Sequence, residues 1–115
     1  MAYMKRSKYY SRKTVVDGIT FDSQKEASRY KDLKALQDEG KIRDLILQPS
    51  FELQPGFRKN GKTYRAIEYR ADFMYLDVET GDTVVEDVKG MKTDVYSLKK
   101  KLFEYRFQDL TITEV

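Results

Sequence analysis

The chain has 115 residues, 40% of them hydrophobic and 36% charged, with a formal net charge of +3. One domain is expected at this length, with a core large enough to fold without disulfides or a structural metal. Histidine and cysteine are both absent, which excludes serine and cysteine triads, histidine general bases and Cys/His zinc sites, and leaves hydrolytic chemistry to carboxylates, lysines and a hard, oxygen-binding cation.

The positive charge is concentrated at the start. Residues 1–13 hold Lys5, Arg6, Lys8, Arg12 and Lys13 without an acid, so the remainder carries 17 bases against 19 acids. Tyr3, Tyr9 and Tyr10 interleave with these bases. Such an arm suits nucleic-acid phosphates with some base stacking, or serves only as a solubilising tail. Asp17-Gly18 between Val15-Val16 and Ile19–Phe21 is the turn of a small hairpin. Ser23 then opens a helix, because Ser23 and Glu26 form a capping-box pair, and Ala27, Tyr30, Leu33 and Leu36 supply its apolar stripe up to Gly40.

Ile42–Gln48 and Phe51–Leu53 read as strands separated by Pro49, and Asn60-Gly61 as a tight turn. From Tyr64 the alternation predicts one long strand, with Ile67, Tyr69, Ala71, Phe73 and Tyr75 on one face and Glu68, Arg70 and Asp72 on the other. Glu79–Asp82 turns the chain into the strand Val84–Lys89. Asp94 is placed to cap a second helix whose core-facing stripe would be Val95, Leu98, Leu102 and Tyr105. Leu110–Val115 completes the chain as a last strand. The expected fold is α/β, in the order α-β-β-β-α-β, with a mixed sheet flanked by helices. No apolar run approaches the roughly 20 residues of a membrane-spanning helix, and a cytoplasmic location is expected.

Chemistry is suggested at one place, Val84-Val85-Glu86-Asp87-Val88-Lys89-Gly90, an apolar strand ending in acid, spacer and lysine. A two- or four-residue loop at Glu79–Asp82 would set Asp72 opposite Lys89 and Met74 opposite Asp87 on one face, over an apolar base of Leu76 and Val85. Phe73–Val88 and Tyr75–Glu86 would pair on the other face. Two carboxylates that close repel unless a cation lies between them. That cation could be Lys89 alone, as a surface ion pair, or Mg²⁺ held by Asp72, Asp87 and the Val88 carbonyl, with Lys89 activating water. Strand parity selects Asp87 over Glu86. Glu26 is expected to cap its helix. Lys99 and Lys100 on the second helix are either a solvated face or phosphate contacts.

These residues resemble the PD-(D/E)XK nuclease superfamily, whose motif is an acid at a strand end followed by a strand ending in acid-x-Lys. Asp72, Asp87 and Lys89 match in order, and Glu26 matches the superfamily's helical glutamate. Ala71 stands where the motif's name has proline. Asp17–Ser23 followed by Lys25-Glu26-Ala27, then Leu47-Gln48-Pro49, Glu86–Gly90 and Thr93–Tyr96, resemble a family of small phage and prophage proteins usually placed there. The resemblance implies a restriction-endonuclease-like fold and a phage-encoded, Mg²⁺-dependent endodeoxyribonuclease that accepts Mn²⁺ as a substitute. Its catalytic set would be Glu26, Asp72, Asp87 and Lys89, with Glu26 supporting the metal directly or through water. Its substrate would be DNA, branched or otherwise, cut structure-selectively or nonspecifically and gripped by the basic arm with Lys99 and Lys100. Cutting both strands would call for a homodimer. The rival expectations are a nucleic-acid-binding accessory protein without turnover and a protein-interaction domain.

Overall fold

The computed structural model describes residues 12–88 and 92–115; Lys5, Arg6, Lys8 and Lys89 lie outside the described residues. The chain order is β1 (Thr14–Val16), β2 (Ile19–Phe21), α1 (Gln24–Asp38), β3 (Ile42–Leu47), β4 (Ser50–Gln54), β5 (Phe57–Lys59) and β6 (Lys62–Tyr64). It continues with β7 (Ile67–Arg70), β8 (Phe73–Asp77), β9 (Thr83–Asp87), α2 (Asp94–Arg106) and β10 (Ile112–Glu114).

Signals that need only neighbouring residues form as expected. Asp17-Gly18 (φ 54° and 75°) and Asn60-Gly61 (φ 52° and 75°) both take two consecutive left-handed residues, the geometry that closes a two-residue hairpin without splaying its strands. They join β1 to β2 and β5 to β6. Ser23 caps α1 by accepting the Glu26 N–H at 3.1 Å. At the other end, Gly40 N–H donates to Gln37 O and Lys41 N–H to Leu36 O. This is a Schellman closure around a left-handed glycine.

Four strands form a mixed sheet in the order β10-β9-β8-β3; β9 and β10 run parallel and the other pairs antiparallel. Successive side chains leave a strand on opposite faces, and the two cores divide accordingly. Phe73, Tyr75 and Val84 meet Ala27, Tyr30 and Leu33 of α1 on one face. Met74 and Val85 meet Tyr96 and Phe103 of α2 on the other. The architecture is α/β. Among the described residues, no helix is long and apolar enough to cross a membrane.

Three expectations are corrected. The single strand from Tyr64 is two strands, because the chain changes side-chain phase at Ala71–Asp72. Phe73 pairs with Glu86, yet Asp72 N–H also reaches the Glu86 carbonyl at 3.0 Å. Two residues therefore share one partner, as in a β-bulge. The facing strand turns over at the same level through Gln48, with φ 51°, ahead of Pro49. Tyr69 and Ala71 consequently join the α2 core while Phe73 and Tyr75 join the α1 core.

The hairpin register also differs. Met74 pairs with Val85 and Leu76 with Thr83, not Met74 with Asp87. Asp77 N–H donates to Asp82 O, which leaves Val78–Gly81 as the loop. The shift is two residues, so parity and the division of faces in β9 survive.

Finally, α2 is rotated relative to the expected stripe. Val95, Leu98 and Tyr105 are 63%, 59% and 80% exposed, whereas Tyr96 and Phe103 are buried. The Phe103 ring lies 5.0 Å from Phe51, 5.5 Å from Tyr69 and 5.0 Å from Phe107. Two aromatic rings one heptad apart bury more apolar area than the aliphatic stripe would. Lys99 and Lys100 between them lie along the half-buried flank, while Lys101 is exposed. The N-cap is Thr93, which accepts the Tyr96 N–H, rather than Asp94.

Candidate active site

The bulge at Asp72 does what bulges near the ends of ladders do: it re-aims a side chain. Asp72 Oδ2 accepts the Val88 N–H at 2.6 Å. Val88, whose carbonyl is the expected metal ligand, also holds Asp72 through its amide. The Asp72 carboxyl is pushed up to about 7, first by burial and then by the charges of Glu26 and Asp87 and a hydrogen bond with Asp87, against the lowering effect of the Val88 amide. Asp72, Asp87 and Glu26 therefore share one electrostatic environment. Asp72 reaches the end of β9 by a bulge rather than by the register that the alternation suggests.

Asp87 ends β9 and is buried. Tyr69 donates its hydroxyl to Asp87 Oδ2, and Val115 N–H caps the Asp87 carbonyl at 3.0 Å. Burial and the Asp87 hydrogen bond hold the Tyr69 hydroxyl in its protonated, donating form. Tyr96, buried on the same side, is raised first by burial and then by its bond to Glu114 and the Asp87 charge. Glu26, in the first turn of α1, is buried as well.

Parity resolves the two adjacent acids as expected. Glu86 points to the α1 face, where Arg29 Nε and Nη2 hold its two oxygens at 2.8 and 2.6 Å. Tyr75 donates its hydroxyl to the same carboxylate. The Glu86 hydrogen bond raises the Arg29 guanidinium further above its usual range. A bidentate, fully satisfied pair of this kind is structural: it locks β9 to α1 beside the acids.

Sequence reasoning missed the roles of Tyr69, Tyr75, Tyr96 and Arg29. Tyr69 reads as core packing, and only the phase change at Ala71 turns its hydroxyl toward Asp87. Arg29 carried a usable signal, being three residues after Glu26 on the same helix face. Of the expected phosphate-contacting bases, Lys5, Arg6 and Lys8 lie outside the described residues. Lys13 pairs with Asp22 at 3.1 Å on the surface, and Arg12 is exposed. Lys100 and Lys92 lie 3.4 and 2.9 Å from Glu114, which also takes the Tyr96 hydroxyl at 2.6 Å. Lys99 is half-buried on α2. Lys100 thus belongs to a closed surface network.

Among the described residues, no three acidic side chains form a complete chelating group. Mg²⁺, however, keeps several waters and needs only one or two carboxylates beside phosphate oxygens. Asp72 and Asp87 are the two carboxylates at the end of β9 that could serve in that way. Glu26 acts on them by charge.

Residues 6–115 match the family described as Protein of unknown function (DUF1064). No curated protein and no solved structure matches the chain.

Proposed function

The chain belongs to the DUF1064 family, and we propose that it is a metal-dependent endonuclease that hydrolyses phosphodiester bonds of DNA. The observation that carries this reading is the bulge that brings Asp72 onto the Val88 N–H at 2.6 Å, next to the buried Asp87 at the end of β9, where burial first and then the charges of Glu26 and Asp87 disfavour the Asp72 anion. Structural ion pairs rarely gather like charges in a buried corner, whereas catalytic sites do.

Asp72 and Asp87 would hold Mg²⁺ or Mn²⁺. The cation supplies Lewis-acid charge to the phosphoryl oxygens. The protein's own groups supply aim. The Val88 amide fixes one Asp72 oxygen, and the Tyr69 hydroxyl fixes one Asp87 oxygen. The Arg29–Glu86–Tyr75 lock holds β9 in place beside them. Lys89, two positions past Asp87 in the sequence, would take the proton of the attacking water and offset charge on the phosphate. Glu26 would orient water at the edge of the site.

The test is cleavage of supercoiled plasmid and of a four-way junction with Mg²⁺, with Mn²⁺ and with EDTA. Nicking or junction cutting in either metal, lost in EDTA and in Asp72→Asn, Asp87→Asn and Lys89→Ala, is the expected result. DNA binding without cleavage under any condition would replace the enzyme by an accessory binding protein, and cleavage unaffected by Asp72→Asn would remove this site from the reaction.

A further inference from the structure

The β5–β6 hairpin is the one element that joins neither buried cluster, and every residue of both strands is exposed. Its segment, Phe57-Arg58-Lys59-Asn60-Gly61-Lys62-Thr63-Tyr64-Arg65, carries four cations and no acid. Lys59 and Lys62 are direct cross-strand partners at the tip, and like charges directly opposed destabilise a ribbon. Among the described residues, no carboxylate forms an ion pair with any of the four cations.

The aromatic pair is equally unusual. Phe57 and Tyr64 stack at 4.6 Å and 11°, while remaining 44% and 39% exposed. By register they lie on the same face as Lys59 and Lys62, and Lys62 Nζ stands 5.2 Å from the Tyr64 ring centroid. On the other face, Arg58 is aimed by Thr63 Oγ1 at 2.7 Å and the Gly61 carbonyl at 3.2 Å. A stacked, rigid base therefore holds a basic tip out in solvent. A row of unpaired cations on a narrow ribbon complements a regular array of anions, and a groove of duplex DNA admits a two-stranded ribbon with phosphates on either side.

We propose that the β5–β6 hairpin is a DNA-gripping wing, in which Arg58, Lys59, Lys62 and Arg65 contact backbone phosphates of the duplex presented to the Asp72–Asp87 site. The proposal rests on the endonuclease reading for its choice of polyanion. Asp72 lies eight residues beyond Tyr64 and ten beyond Lys62, so at roughly 3.3 Å per residue the base of the wing stands within about 26 Å of Asp72 and Lys62 within about 33 Å. One bound duplex spans both. The grip is independent of base identity, because the contacts are to phosphate.

The experiment is fluorescence anisotropy of the full chain with a labelled duplex in EDTA, over a range of KCl, together with metal-dependent cleavage of the same duplex. The R58A/K59A/K62A/R65A variant is compared with a charge-preserving K59R/K62R variant, and circular dichroism reports that each is folded. The four-alanine variant is expected to bind at least about tenfold more weakly near 0.1 M salt, with a log–log salt slope shallower by roughly 3. The K59R/K62R variant should keep the parent slope. An unchanged slope in the four-alanine variant, a lost slope in K59R/K62R, or a parent that binds phosphatidylserine vesicles but not duplex each overturns the wing. Absence of cleavage with the slope change intact would sink the endonuclease reading and leave the wing standing.

Discussion

Replacing Asp72 by asparagine should stabilise the metal-free protein at alkaline pH, the reverse of what removing a buried polar contact normally does. Burial, and then the charges of Glu26 and Asp87, push the Asp72 carboxyl from its ordinary 3.8 up to about 7 in the fold. An acid with a raised folded pKa binds more protons folded than unfolded. Its stability contribution is therefore intact below about 3.8 and is lost as pH rises through 7. The full span would be roughly 4 kcal/mol. Asp72 is only half-buried, so solvent screening reduces this to about 2 kcal/mol. For a domain of this size that is a shift in Tm of roughly 5–10 °C. Asparagine keeps an oxygen for the Val88 N–H and offers an N–H toward Asp87, so both contacts persist without the charge. The assay is thermal unfolding followed by circular dichroism in EDTA between pH 4 and 8. The difference in Tm between Asp72→Asn and the parent should be near zero at pH 4 and should grow with pH. A difference that is constant with pH, or an asparagine variant less stable than the parent at pH 8, would refute the electrostatic account of the site.

Arg29→Ala should destabilise the fold by about 3 kcal/mol in chemical denaturation, because it leaves the buried Glu86 carboxylate with only the Tyr75 hydroxyl. The double variant Arg29→Met with Glu86→Leu should recover most of that loss. Leu98→Lys should change stability by no more than about 0.5 kcal/mol, whereas Phe103→Ala should cost about 3–5 kcal/mol, which separates the observed orientation of α2 from the one its aliphatic stripe suggests. Glu114, held down to about 2 by the Tyr96 hydroxyl and then Lys92, contributes stability above about 4.5 that is lost as pH falls toward 2. Glu114→Gln should therefore flatten the acid limb of the stability profile and leave the neutral region little changed relative to it.

What the sequence determined alone is local. The two type I′ turns, the Ser23 cap, the Gly40 stop and the opposite facing of Glu86 and Asp87 follow from backbone permissions at single residues and from a period of two. None of these needs a distant partner. Val84–Asp87 could likewise be read as a strand with an acid at its end. The tertiary structure decided everything that depends on one element's place beside another. The Asp72 bulge forms because its N–H takes the same Glu86 carbonyl that faces Phe73, a competition invisible in an unbroken alternation of apolar residues. That slip turned Tyr69 toward Asp87 and Phe73 away from it. In α2, two apolar faces competed for one sheet, and the larger rings of Tyr96 and Phe103 won over a better-patterned aliphatic stripe. Arg29 found Glu86 only because α1 lies across β9. The acids were legible as residue types at plausible spacings; the bulge that joins them, and the partners that hold them, came from packing.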